Sequence, residues 1–440
     1  MRQLRGRHYI IKLVSLSVLT LFLLIYVSSF SSVGEAKSFM KASTLPSKAL
    51  TYKEDISEYL VYNKFTGRTS SSVQNQYKRI GYYAGWSTYS GYQVEDIDAS
   101  KLTHINYAFA NISEDGKIIV GDTWADTEKE FPGDSDRQAF KGNFHQLNKL
   151  KEQHPHLKTL ISVGGWTWSE NFSDVALTEE SRTIFAESVV DFLVTYGFDG
   201  VDLDWEYPVG GGKADNVNRP EDKQNFTLLL KKIRELLDEQ SDNDGKEYLL
   251  TIAVGANDSH ANNMELDLLH HYVDYIQLMT YDIHGEWDEI SGLNAPLYRD
   301  LDSKYYRDWS VQDAVKTYIS GGVPAKKLVM GLPFYGRVFN QVNSTNNGMY
   351  QPFDNGGAVS YSRIESDYLN KNGYVRYWIA DSKVPYLFNG STFISYDDKE
   401  SIGHKTSYIQ SMGLGGAMMW ELSQDPNQVL LTKIYNDLKN

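Results

Sequence analysis

The stretch Asp199-Gly200-Val201-Asp202-Leu203-Asp204-Trp205-Glu206-Tyr207-Pro208 sets carboxylates at positions 202, 204 and 206 with apolar residues between them. Side chains alternate along an extended strand. The three acids therefore share one face, about 6.6 Å apart per step, while Val201, Leu203 and Trp205 share the other. Burial and like charge both favour the neutral form of a carboxylate, so at least one of the three should keep its proton near neutral pH. A retained proton is what a general acid needs. Calcium binding is the competing use of clustered acids. Its ligands usually come from flexible loops with Gly and Asn among the acids, not from an apolar strand.

Such a strand needs neighbours to hold it. Eight short apolar or β-branched runs recur along the chain: Ile80–Ala84, Thr103–Ala110, Thr159–Val163, Gly200–Leu203, Leu249–Val254, Tyr275–Met279, Leu328–Leu332 and Ala417–Trp420. Helix-like segments lie between them, such as Ser181–Tyr196, Glu221–Glu239 and Val311–Gly321. Pro220 ahead of Glu221 and Asp222 makes a good helix start, with acids set against the helix dipole. Eight alternating units predict an α/β fold, a (β/α)8 barrel of parallel strands. The acid-bearing run is the fourth, and its outward residues must face helices. The acids then point inward, with Glu206 at the C-terminal rim, where barrel active sites lie. One interval breaks the rhythm: residues 338–400 alternate like antiparallel strands and predict a small α+β domain inserted between strands 7 and 8. The barrel itself is expected to span 78–337 and 401–440.

Asp199, Asp202, Asp204 and Glu206 form an Asp-x-x-Asp-x-Asp-x-Glu pattern that resembles the signature of family 18 glycoside hydrolases. Further landmarks resemble that family in order: Ser162-Val163-Gly164-Gly165-Trp166, Met279-Thr280-Tyr281-Asp282 and Gly416-Ala417-Met418-Met419-Trp420-Glu421. The resemblance covers residues 79–440 and is strongest to secreted bacterial chitinases with an inserted domain. It implies a substrate-assisted, retaining cleavage of β-1,4-N-acetylglucosamine links, an exception to the two-carboxylate scheme. Glu206 would be the acid and then the base. Asp204 would hold the substrate's acetamide N–H, Asp202 would share a proton with Asp204, and Tyr281 would position the acetamide oxygen. Asp282 would contact the acetamide cavity; its rival roles are a rim hydrogen-bond pair or a conventional nucleophile.

Sugar rings present apolar faces, so a saccharide groove needs flat aromatic platforms. The resemblance makes Trp420 the floor under the cleaved sugar and Tyr82 and Phe109 its walls. Trp166 and Trp287 would be platforms on the reducing-end side. Met279 lines the same landmark, and Arg337 is placed to reach a sugar hydroxyl. Trp86, Trp168 and Trp378 are candidates to extend the groove, with packing as the alternative. Gly164 and Gly165 are expected to give clearance near Glu206, and Gly210-Gly211-Gly212 to form a flexible loop. The competing functions are cleavage of N-glycans or peptidoglycan by an endo-β-N-acetylglucosaminidase, and a chitin-binding lectin. Lectin relatives typically lose the final Glu; here it is Glu206.

Composition narrows the partners. Lys and Arg total 43 against 57 acids, a formal net charge of −14, which disfavours nucleic acid and anionic membrane faces. Nothing resembles a zinc or phosphate-loop motif and cysteine is absent, so neither metal nor cofactor is expected. Arg2, Arg5, Arg7 and Lys12 precede an apolar run from Leu13 to Val27, followed by Gly34 and Ala36. This reads as an export signal over 1–36, with 37–77 as a polar extension; the alternative is an uncleaved membrane anchor, for which an apolar run of fifteen is short. A secreted, extracellular monomer without stable membrane association is expected.

Overall fold

The computed structural model describes residues 77–303 and 308–439. The expected export signal and most of the expected extension lie outside the described residues. Eight parallel strands close on themselves: β1 (Lys78–Ala84), β2 (His104–Ile112), β4 (Lys158–Gly164), β5 (Gly200–Asp204), β6 (Leu249–Gly255), β7 (Tyr275–Met279), β8 (Leu328–Pro333) and β14 (Gly416–Trp420). β1 pairs with both β2 and β14, which completes the ring and leaves no free edge. β3 (Ile118–Ile119) is a short antiparallel partner of β2. Each of the eight expected runs lies in one of these strands, and the chain is a (β/α)8 barrel.

The helices between strands begin and end where local chemistry dictates. Glu179–Tyr196 starts at Thr178, whose hydroxyl accepts from the Ser181 N–H, and stops at Gly197 with φ 77°. Only glycine adopts that left-handed conformation cheaply. Asp222–Asp244 follows Pro220, and Val311–Ser320 is capped by the Ser310 hydroxyl. Strands β5 and β6 are buried along their whole length, as expected of parallel strands covered on both sides.

After β8 the chain enters a second sheet of five antiparallel strands: β9 (Tyr335–Asn340), β10 (Asn355–Ser360), β11 (Val375–Ile379), β12 (Val384–Phe388) and β13 (Phe393–Ser395). Its order is β10-β9-β13-β12-β11. It has its own core, in which Phe339, Tyr386, Phe388 and Phe393 pack with Leu293 and Met349. Because β9 begins one residue past β8, its first side chains, Tyr335 and Arg337, are delivered to the barrel mouth.

Candidate active site

The outer face of β5 packs as its alternation requires. Val201 and Leu203 are fully buried, and Trp205 stacks on Phe172 with ring centroids 5.4 Å apart. On the inner face Asp202 is fully buried and accepts four hydrogen bonds. One oxygen takes the Tyr82 hydroxyl at 2.6 Å and the Ser162 hydroxyl at 2.8 Å. The other takes the Thr251 hydroxyl at 2.6 Å and the Gln277 amide at 2.7 Å. The Asp202 pKa is raised by burial, a rise these donors only partly offset. Four donors saturate an ionised carboxylate. Among the described residues no hydrogen bond joins Asp202 to Asp204 in this arrangement, both Asp202 oxygens being taken by other donors.

Asp204 is the opposite case. It is only 3% exposed, yet its Oδ1 is buried with no hydrogen-bond partner. Burial, then the charges of Glu206 and Asp202, hold its pKa well above the usual carboxylate range. The Glu206 pKa is pushed up to about 7, chiefly by burial and further by Asp282, with a hydrogen bond from Tyr207 working against the rise. The inner face of one strand thus carries a saturated acid, then an acid with a vacant acceptor, then an acid poised near neutrality.

Tyr281 and Asp282 follow β7. The Tyr281 hydroxyl has a single weak contact, 3.8 Å from Met418 Sδ, and burial pushes its pKa far up, so it is a neutral donor. Asp282 sits at φ 57°, with its N–H donated to Asn294 Oδ1 at 2.9 Å. Its Oδ1 accepts from the Tyr335 hydroxyl at 2.5 Å and from Arg337 Nε at 2.8 Å. Arg337 also pairs with Glu286 at 2.9 Å and lies 4.6 Å over the Trp287 ring. The guanidinium expected to reach a sugar is therefore already engaged. A carboxylate clamped by Arg337 and Tyr335 is a weakened nucleophile, which disfavours the conventional role for Asp282.

Asp204, Glu206, Tyr281 and Asp282 line one cleft of about 1350 Å³. Tyr82, Phe109, Gly164, Trp166, Met279, Trp287, Arg337 and Trp420 all border it, as do Trp86 and Trp168. Trp420 forms a floor, stacked on Phe109 at 5.8 Å and 5.3 Å from Tyr82. Trp86, Trp166 and Trp287 are 52%, 53% and 55% exposed, an unusual outlay of indole surface that suits a flat, partly apolar ligand. Trp378 lies elsewhere, packed beside His404 and Arg376. Two glycine-rich loops border the site. A Cβ on Gly165 would come within 2.6 Å of the Phe109 ring, and one on Gly164 within 2.6 Å of the Asp204 carbonyl, so their clearance is not against Glu206. In the Gly210–Gly212 loop, Gly212 lies against the Glu206 backbone, where a Cβ would lie 1.9 Å from the carbonyl oxygen, whereas a Cβ on Gly210 would meet nothing nearer than 3.7 Å.

Sequence reasoning passed over several contributors. Thr251 and Gln277, and the hydrogen-bonding role of Ser162, were detectable as polar residues inside otherwise apolar strands. Ser169, Tyr207, Asn216 and Asn294 sit in loops, His260 in the short helix Asp258–Asn262 and Tyr335 on β9, with no such signal.

Residues 78–425 match the profile of Glycosyl hydrolases family 18. The chain is 48% identical over 415 residues to Chitinase A1 of Niallia circulans, covering 84% of this chain and 59% of that protein. It is 37% identical to Endochitinase 1 of Metarhizium robertsii, covering 79% and 82% respectively. Against the solved structure of a chitinase from Bacillus thuringiensis the TM-score is 0.80 at 43% identity, covering 83% of this chain and 70% of that one. Against a family 18 N-acetylglucosaminidase from Paenibacillus barengoltzii it is 0.73 at 39% identity, covering 82% and 100%.

Proposed function

Because this chain belongs to family 18 of the glycosyl hydrolases, we propose that it hydrolyses β-1,4-N-acetylglucosamine links in chitin and chito-oligosaccharides with net retention. The observation that carries this reading is the vacant, buried Asp204 Oδ1 beside a Glu206 whose pKa is about 7. An acceptor on that floor fits an acetamide N–H, and an acid at 7 can both give and take a proton.

Glu206 protonates the glycosidic oxygen as the C–O bond breaks. The carbonyl oxygen of the substrate's 2-acetamido group attacks the anomeric carbon, giving an oxazolinium-like intermediate. Asp204 accepts the acetamide N–H. The neutral Tyr281 hydroxyl orients the carbonyl oxygen, and that alignment brings the two reacting atoms into attack geometry. Glu206, now a carboxylate, takes a proton from the water that opens the ring. Asp202, saturated by its four donors, anchors the strand beneath them. The exposed tryptophans hold neighbouring sugars. We also place the protein outside the cell, on the basic and apolar run at its N-terminus.

Incubating residues 37–440 with colloidal chitin and analysing the soluble sugars tests the reading. Short N-acetylglucosamine oligomers are expected. Binding to chitin without release would sink it in favour of a lectin, and release from N-glycans alone in favour of a glycan-specific hydrolase.

A further inference from the structure

A general acid works only if its carboxylate is aimed, yet Glu206 lies beyond the end of β5, outside the barrel's hydrogen-bond ladder. Two loops supply what the ladder does not. The Glu206 N–H donates to Ser169 Oγ at 2.9 Å, and Ser169, fully buried, itself donates towards the Gly165 carbonyl at 2.8 Å. The Glu206 carbonyl accepts from Asn216 Nδ2 at 2.8 Å. One pin comes from the segment after β4, the other from the segment after β5, so they arrive from separate parts of the chain.

The second loop is built to hold this contact. Asp222, fully buried at the start of its helix, accepts from the Val209 N–H at 3.3 Å and the Arg219 N–H at 2.7 Å. It thereby ties together both ends of the excursion that carries Asn216. The Ser173 hydroxyl donates to the other Asp222 oxygen at 2.6 Å. Gly212 gives the space for the close approach to the Glu206 carbonyl, and His260 supports the near flank by stacking on Tyr207 with centroids 3.8 Å apart.

We infer that Ser169 and Asn216 are positioning residues for the general acid, fixing the Glu206 backbone from two sides so that its carboxylate meets the glycosidic oxygen. The inference rests on the proposed function. It requires that losing a pin harms protonation of the leaving group more than it harms binding or attack. A leaving group that departs without a proton should hardly notice.

The test compares kcat/KM of Asn216→Ala on an N-acetylglucosamine tetramer and on a 4-nitrophenyl glycoside of N-acetylchitobiose. kcat/KM reports steps only up to departure of the leaving group, so the later base role of Glu206 does not enter. Misplacement of a reacting group by about 1 Å costs on the order of 100-fold. The tetramer should lose roughly 10- to 100-fold and the aryl glycoside less than about threefold. Ser169→Ala should reproduce the split, with thermal melting used to check folding of this buried site. Equal losses on both substrates, or no loss on either, would overturn the inference. An unmutated protein that turns over neither substrate would overturn the proposed function, and the inference with it.

Discussion

The two ends of strand β5 treat carboxylates in opposite ways. At its start, Asp199 accepts the Thr159 N–H at 2.8 Å and pairs with Lys151 at 3.0 Å. Asp274, at the same end of the barrel, accepts the Leu250 N–H at 2.8 Å and lies 3.4 Å from Arg234. At the far end, neither Asp204 nor Glu206 has a cation partner among the described residues, and burial pushes both pKa values up. The acids at the first end hold loops to strands. Those at the other end are left unpaired at a cost in stability, and that cost is the mark of a site kept free for a substrate. Acidic residues of one motif therefore divide into an ion-paired member, Asp199, and two members left without a cation among the described residues, Asp204 and Glu206.

The sharpest way to break this contrast is to neutralise one acid at each end. Glu206→Gln removes the transferable proton and should lower kcat/KM on chito-oligosaccharides by about 10³-fold or more. Asp204→Asn keeps the shape but replaces the ionisable carboxyl with an amide that cannot carry negative charge, and a loss of about 10²-fold is expected in kcat with little change in KM. Tyr281→Phe should cost about 10-fold or more, because the acetamide oxygen loses an orienting donor. Steady-state kinetics on a soluble tetramer would measure all three.

The pH profile sharpens the same contrast. Glu206 must be protonated to act as acid and its pKa is about 7. kcat/KM should therefore fall tenfold per unit on the alkaline side of about pH 7. The linked stability effect has the opposite sign to that of a salt-bridged acid. A carboxyl with a raised folded pKa binds more protons folded than unfolded, so stability declines as pH rises from its free value of 4.5 towards about 7. Glu206→Gln should thus melt a few degrees above the parent at pH 8 and level with it at pH 4. At the structural end, Asp199→Asn should leave kcat/KM within about twofold and lower Tm by at most about 3 °C. A large kinetic defect in that variant would erase the division between the two ends.

Much of this was legible because strands obey a two-residue period. The inward placement of Asp202 and Asp204, the outward Trp205 and the eight-strand ring all follow from it. The saturation of Asp202 was only half legible. Thr251 and Gln277 stand out as polar residues in apolar strands, but their convergence on one carboxylate depends on barrel closure. Asn216 carried no signal, since irregular loops are shaped by contacts distant in sequence, and His260, on the short helix Asp258–Asn262, meets Tyr207 only across the fold. The ion pairs of Arg337 were hidden for a related reason: its partners Asp282 and Glu286 meet it only when β9 crosses the barrel mouth.

The most direct test of the account is to compare fully N-acetylated and fully deacetylated tetramers with the same protein. If Asp204 and Tyr281 act through the substrate's own acetamide, the acetylated tetramer is cleaved and the deacetylated one is slower by about 10³-fold or more. Comparable turnover of both would contradict the account and return the nucleophile to a protein carboxylate such as Asp282.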